Sequence, residues 1–135
     1  MIDIESELFN KLSVAIKTEY PTAYVTGEYV PAPSSFPCVS IVEIDNYPLV
    51  STQDTSSQEN HANLTYEINI YSNKTTGKKA ECKAIASLID SEMLGLGFNR
   101  TMLNNILNLN DSTIYRMVGR YRAIVSTNKT IYRRR

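Results

Sequence analysis

From Ala62 to Tyr71 the chain alternates: Ala62, Leu64, Tyr66, Ile68 and Ile70 are apolar, and Asn63, Thr65, Glu67 and Asn69 between them are polar. A period of two over ten residues predicts a strand with one buried face. From about Lys78 the period lengthens. Cys82, Ile85, Ala86, Ile89, Met93 and Leu96 recur at helical spacing, with Lys79, Lys83, Ser87, Asp90 and Ser91 between them. That stripe predicts an amphipathic helix over about 76–94. Thr75 or Thr76 is placed to cap its start, and Gly95 or Gly97 to end it in the left-handed conformation.

The same reading extends over the rest of the chain. Ile4, Leu8, Phe9, Leu12, Ala15 and Ile16 fall at helical spacing after Asp3, a residue type that caps helices, and Tyr20-Pro21 stops the run, so a first helix is predicted over about 3–20. Thr22 to Val30 is short, β-branched and aromatic, and Gly27 interrupts it, which predicts a weak strand or an edge hairpin. Pro31, Pro33 and Pro37 make the next stretch a loop. Cys38 to Asp45 is rich in β-formers but does not alternate cleanly, since Val39 and Ile41 share one face and Val42 and Ile44 the other. Either both faces of this strand are covered, or a bulge near Ile41 shifts its phase. Asn46 to Asn60 is polar and aperiodic, as in a long loop.

Arg100 to Leu109, with Leu103, Leu107 and Leu109 in one phase, is a strand or an irregular segment, and Asn110-Asp111-Ser112 marks a turn. Thr113 to Thr127 is the longest strand candidate. In it Tyr115, Met117, Gly119, Tyr121, Ala123 and Val125 share one face, and Ile114, Arg116, Val118, Arg120, Arg122 and Ile124 share the other. Helix, strands, helix, strands is the order of segregated layers. The expectation is an α+β fold: a mostly antiparallel sheet with both helices packed on one face, formed by a single domain over 1–127, with a basic extended tail at 128–135.

Composition changes this picture in one respect. The formal net charge is zero, yet the first 60 residues carry nine acids against Lys11 and Lys17, and after Asp111 there are seven basic residues and no acid. Such segregation suits a nucleic-acid tail, or an assembly in which one copy's basic end meets another copy's acidic end. No apolar run is long enough to span a bilayer and the N-terminus is acidic where a signal peptide is basic, so a soluble intracellular protein is expected.

Candidate catalytic chemistry is sparse. His61 is the single histidine, and Asn60, Asn63 and Glu59 beside it do not form a ligand set. Cys38 and Cys82 lie on apolar stretches and read as buried thiols. Gly95-Leu96-Gly97 follows a helix instead of opening one, unlike a phosphate loop. Asp90 and Glu92 project from different sides of their helix. No enzyme activity, metal or cofactor is expected. The alternation of arginine with tyrosine between Tyr115 and Arg122 suits single-strand nucleic-acid binding, but the two types fall on opposite faces of the strand.

The opening MIDIESELF, the approach FPCVSIVEIDN, the unit NLTYEINIYSNKTTGKKAECKAIASLIDSEM and the closing IYRMVGRYRAIVS followed by IYRR together resemble the small tail completion, or tail terminator, proteins of tailed bacteriophages and prophage-derived tail particles. The similarity spans nearly the whole chain and lies in the pattern of strands and helices. It implies a ring, commonly hexameric, that caps the head-proximal end of the tail tube and offers a docking surface to the neck. The implied partners are further copies of the chain, the tail tube protein, a neck, head-completion or collar protein, and a sheath protein where the tail is contractile. The implied location is the neck end of the virion tail, after assembly in the host cytoplasm. Other neck and head-closure connectors share this pattern. In a ring, the segregated charge makes Arg116, Arg120, Arg122, Tyr132, Arg133 and Arg134 expected contacts on one side, with Gln53, Asp54 and Glu59 on the other; the three strand arginines are expected at that boundary or on the ring's inner wall. The loop at 46–60 and the tail at 128–135 are expected to act as arms against neighbouring subunits.

Overall fold

In the computed structural model the elements run α1 (Glu5–Glu19), β1 (Tyr24–Thr26), β2 (Cys38–Pro48), β3 (His61–Ser72), α2 (Lys78–Leu96), β4 (Asn99–Asn105), β5 (Tyr115–Ser126) and β6 (Ile131–Tyr132). The structure describes residues 1–30, 32–48, 61–106, 113–129 and 131–132. The strands form one sheet in the order β1-β2-β3-β5-β4, and β6 pairs with β5 beside Ile124 and Val125. Every pairing is antiparallel except that of β1 with β2. The fold is α+β, with a mostly antiparallel sheet and two helices.

The predicted strand at 62–71 is the middle of this sheet. All twelve residues of β3 pair with β5, from His61 opposite Ser126 to Ser72 opposite Tyr115. Its apolar phase, Ala62, Leu64, Tyr66, Ile68 and Ile70, is buried. Directly opposed residues share a face, so Val125, Ala123, Tyr121, Gly119 and Met117 of β5 lie on the same side. That side is the helix face: its residues form one core with Leu8, Leu12 and Ile16 of α1 and Cys82, Ile85, Ile89 and Met93 of α2. Ile68 and Ile89, both expected in the core, are 1% and 2% exposed. Burying a side chain of this size contributes about 1.5–3 kcal/mol.

Several local expectations need correction. The strand at Thr22–Val30 shrinks to three residues and is an edge strand, but it pairs parallel to β2 and is no hairpin. β2 runs on to Pro48, past the predicted loop start at Asn46, while residues 49–60 lie outside the described residues. Its first half fails to alternate because both faces are covered, Cys38 and Ser40 being buried as well as Val39 and Ile41; a bulge does shift the phase, but further on, between Glu43 and Asp45 and not near Ile41. Val39, Ile41 and Glu43 face the helices before the bulge, and Asn46 and Pro48 after it, because one inserted residue inverts the phase. The strand at Arg100–Leu109 is β4, an edge; Leu107 and Leu109 lie outside the described residues. Ile131 and Tyr132, assigned by sequence to an extended tail, are paired by their backbones to β5.

The helix ends also differ. α2 begins at Lys78, where Gly77 supplies a φ of 84° and no side chain caps the first turn. A left-handed residue is needed there, and glycine adopts it without the cost that Thr75 or Thr76 would meet. Gly97, with φ of 105°, ends the helix, and the Phe98 N–H reaches back to the Met93 carbonyl at 3.0 Å. At α1 the cap position belongs to Ile4, and Asp3 acts from one residue earlier, its Oδ1 accepting from the Glu5 N–H at 3.0 Å.

Under the helices two tyrosines stand opposite each other on β3 and β5, and each donates its hydroxyl to a carboxylate. Tyr66 donates to Glu43 Oε1 at 3.1 Å, and Tyr121 to Asp90 Oδ1 at 2.9 Å. Asp90 also pairs with Arg100 at 3.2 Å, which ties α2 to the β4 edge. Burial first, then the adjacent carboxylate, raises both phenols above their ordinary range. Asn46 Nδ2 donates to the Ile2 carbonyl at 2.8 Å, which fastens the start of the chain beside Glu43. Burial raises Glu43 above the usual 4.5; hydrogen bonds from Tyr66 and Asn46 pull the other way, and Glu5 and Asp3 add to the rise.

A carboxyl that is harder to ionise folded than unfolded contributes stability that is fully present below the unfolded value and is lost as pH rises through the folded one. The window therefore opens near 4.5 and extends upward. Glu43→Gln keeps an acceptor for Tyr66 and removes the charge. Thermal midpoints across mildly acidic to neutral pH are expected to show a gain for the variant over wild type that grows with pH. A constant offset would assign the pH dependence to another group.

Candidate interaction surface

β5 places Arg116, Val118, Arg120, Arg122 and Ile124 on the side of the sheet away from the helices, opposite Tyr71, Asn69, Glu67, Thr65 and Asn63 of β3. The polar phase of one strand thus meets the basic phase of the other. Arg116 Nε and Nη2 both donate to Asn69 Oδ1, at 3.1 and 2.7 Å, and its guanidinium lies 5.6 Å from the Tyr71 ring centroid. Asn69 Nδ2 passes the chain on to Glu67 Oε1 at 3.2 Å, and Glu67 Oε2 accepts from Arg120 Nε at 3.0 Å. Charge-assisted bonds of this kind are stronger than neutral ones, and Asn69 is buried while making them.

One end of this face is closed. The Tyr71 hydroxyl donates to the Val30 carbonyl at 3.1 Å, and Cys38, Ser40, Tyr71 and Val118 are buried although no helix covers them. Pro33 and Pro37 of the proline-bearing segment are buried as well. The other end is open. There Arg120, Arg122 and Ile124 are exposed on β5, with Ile44 and Tyr47 exposed on β2.

The three predicted strand arginines therefore share a face but not a state. Arg116 is held by Asn69 and Tyr71, Arg120 by Glu67, and Arg122 has no hydrogen-bond or ion-pair partner among the described residues. Part of the charge segregation is resolved within the chain: Lys129, beyond β5, pairs with Glu7 of α1. The backbone of Tyr132 lies beside Ile124, next to this face. Arg133, Arg134, Gln53, Asp54 and Glu59 lie outside the described residues. Sequence reading did not single out Asn69, Glu67 or Tyr71, although all three share the phase of β3 that lacks the helix-facing residues.

Other candidate chemistry is dispersed. No group of three or more His, Cys, Asp and Glu stands together among the described residues. His61 opens β3 opposite Ser126. Burial pushes the Cys38 thiol up to about 11 and the Cys82 thiol up to about 12, far from the range of a reactive thiolate. No helix of the described residues is long and apolar enough to cross a membrane. No protein-family model matches the sequence, and no curated protein matches it either.

The two classes of polar residue on this face respond differently to truncation. Asn69→Ala strands a part-buried guanidinium and is expected to cost about 1–3 kcal/mol in urea unfolding. Arg122→Ala is expected to stay within about 0.5 kcal/mol of wild type, as exposed substitutions do. Equal costs would mean that Arg122 is also used within the fold.

Proposed function

We propose that this chain is a structural subunit of a phage-type tail. Copies associate head to tail into a ring, commonly hexameric in the family it resembles, that caps the head-proximal end of the tail tube, ends its polymerisation and offers a surface to the neck. The observation that carries the reading is the two-sided sheet. Helices cover most of one face, while the open end of the other carries Arg122, with no partner among the described residues, beside exposed Ile124, Ile44 and Tyr47. An unpaired guanidinium on a rigid strand, bordered by exposed apolar side chains, is the composition of a protein–protein contact. The resemblance of the chain's ordered pattern to tail terminators supplies the setting, with tube protein and neck or collar protein as the partners, and sheath protein where the tail contracts.

Arg120 is a poor probe of this contact, because reversing it sets two carboxylates side by side at Glu67. Arg122→Glu is the sharper variant. It is expected to abolish the ring in native mass measurements while leaving the thermal midpoint near that of wild type, since exposed pairs contribute only about 0–1 kcal/mol each to a protomer. Particles made without the protein are expected to have tails of uncontrolled length or tails unjoined to heads. Tails of normal length, attached to heads, would overturn the reading.

A further inference from the structure

Among the described residues, the two edges of the sheet carry opposite, unmatched charge. At the β4 edge, α2 and β4 enclose a hollow of about 390 Å³ lined by Lys79, Lys83, Asn104 and Asn105 over a floor that includes Leu103 and Tyr115. The two lysines are four apart on one helix face, where like charges repel, and Lys79 sits in the first helical turn, where the backbone dipole already favours an anion. No carboxylate among the described residues pairs with either lysine. Among the described residues the two lysines thus carry an electrostatic cost that an arriving acid removes.

At the opposite edge, β1 covers only Cys38–Ser40 of β2, so among the described residues the rest of β2 is the border of the sheet. Asp45 is exposed on that border between exposed Ile44 and Tyr47, 44% and 41% accessible. Glu28, two residues past the end of β1, is exposed as well. Neither acid has a cation partner among the described residues. Two acids beside two apolar side chains on one edge match two lysines above an apolar floor on the other.

We infer that the lysine hollow at the β4 edge of one copy receives the acidic β2 border, Asp45 and Glu28 with Ile44 and Tyr47, of a second copy. Such a contact joins unlike patches, so it propagates from copy to copy and closes into a ring when the rotation per step allows. It rests on the self-association proposed above and specifies which edges meet. It shares Ile44 and Tyr47 with the Arg122 face and adds the lysine hollow as the surface that meets them.

The test is charge reversal on each edge, read by sedimentation and native mass. Lys79→Glu with Lys83→Glu, and separately Glu28→Lys with Asp45→Lys, are each expected to raise the concentration needed for assembly at least about tenfold, the shift of a few exposed pairs acting at a repeated interface. An equimolar mixture of the two variants is expected to assemble again, since a lysine border then meets an acidic hollow and an acidic border meets a lysine one. Thermal midpoints of both variants confirm folding, and the neutral pair Lys79→Gln with Lys83→Gln, with a smaller loss, serves if a reversal disturbs the fold. Variants that assemble like wild type would overturn the inference and leave the ring standing. Separate failure without rescue on mixing would also overturn it. A wild-type protein that stays monomeric would overturn the ring and this contact together.

Discussion

The unbroken pairing of β3 with β5 is the constraint on which the rest of the structure depends. Twelve residues of each strand run antiparallel without a bulge, so one register decides the destination of every side chain on both. A slip by one residue would carry Tyr66, Ile68 and Tyr121 out of the core and bring Glu67 and Arg120 into it. The helices need that register. α2 covers β3, β5 and β4, and α1 packs along α2, with Phe9 against Gly27 above the β1 side. Gly119 shows how close the fit is, since a Cβ there would come within 3.2 Å of the Tyr121 ring and 3.4 Å of Leu103.

The same register builds the other face. Because Arg116, Arg120 and Arg122 share a phase, and Tyr71, Asn69, Glu67 and Thr65 share the opposed one, positive and polar side chains are delivered in alternating reach of each other. Two guanidinium groups are absorbed by Asn69 and Glu67, and the third stands between Thr65 and Asn99 without a hydrogen bond or ion pair among the described residues. Electrostatics on this face are thus partly spent within the fold and partly left over. The leftover is small in energy for one protomer and repeats around a closed ring, which is why an interface can be built from it at little cost to the fold.

Much of this was legible in the chain. The change of period between Tyr71 and Lys78 located β3 and α2, and the two phases of β5 separated core tyrosines from arginines correctly. The broken alternation after Cys38 signalled a stretch buried on both faces, while the bulge lies past it at one unpaired residue between Glu43 and Asp45, which composition does not mark. The parallel pairing of β1 with β2 was hidden because it is a non-local choice made by where the chain returns after the prolines. Asn63 and Asn69 looked solvent-facing by phase and are buried at 2% and 1%, since the second face of a central strand is covered by its neighbours' side chains. The lysine hollow was invisible for a similar reason: Lys79 and Lys83 read as the wet side of a helix until β4 is laid beside them. Loop and tail contacts at Gln53, Asp54, Glu59, Arg133 and Arg134 lie beyond the described residues and stand as sequence expectations.

Hydrogen–deuterium exchange, compared between assembled and diluted protein, tests the central claim most directly: a fixed β3–β5 core whose sheet edges and open face make the contacts. The account predicts that β3 and β5 amides are the slowest in both states, and that amides on the β2 border beyond Ser40 and on the β4 edge slow markedly on assembly. Protection gained instead along the solvent sides of α1 and α2, with both edges unchanged, would contradict it.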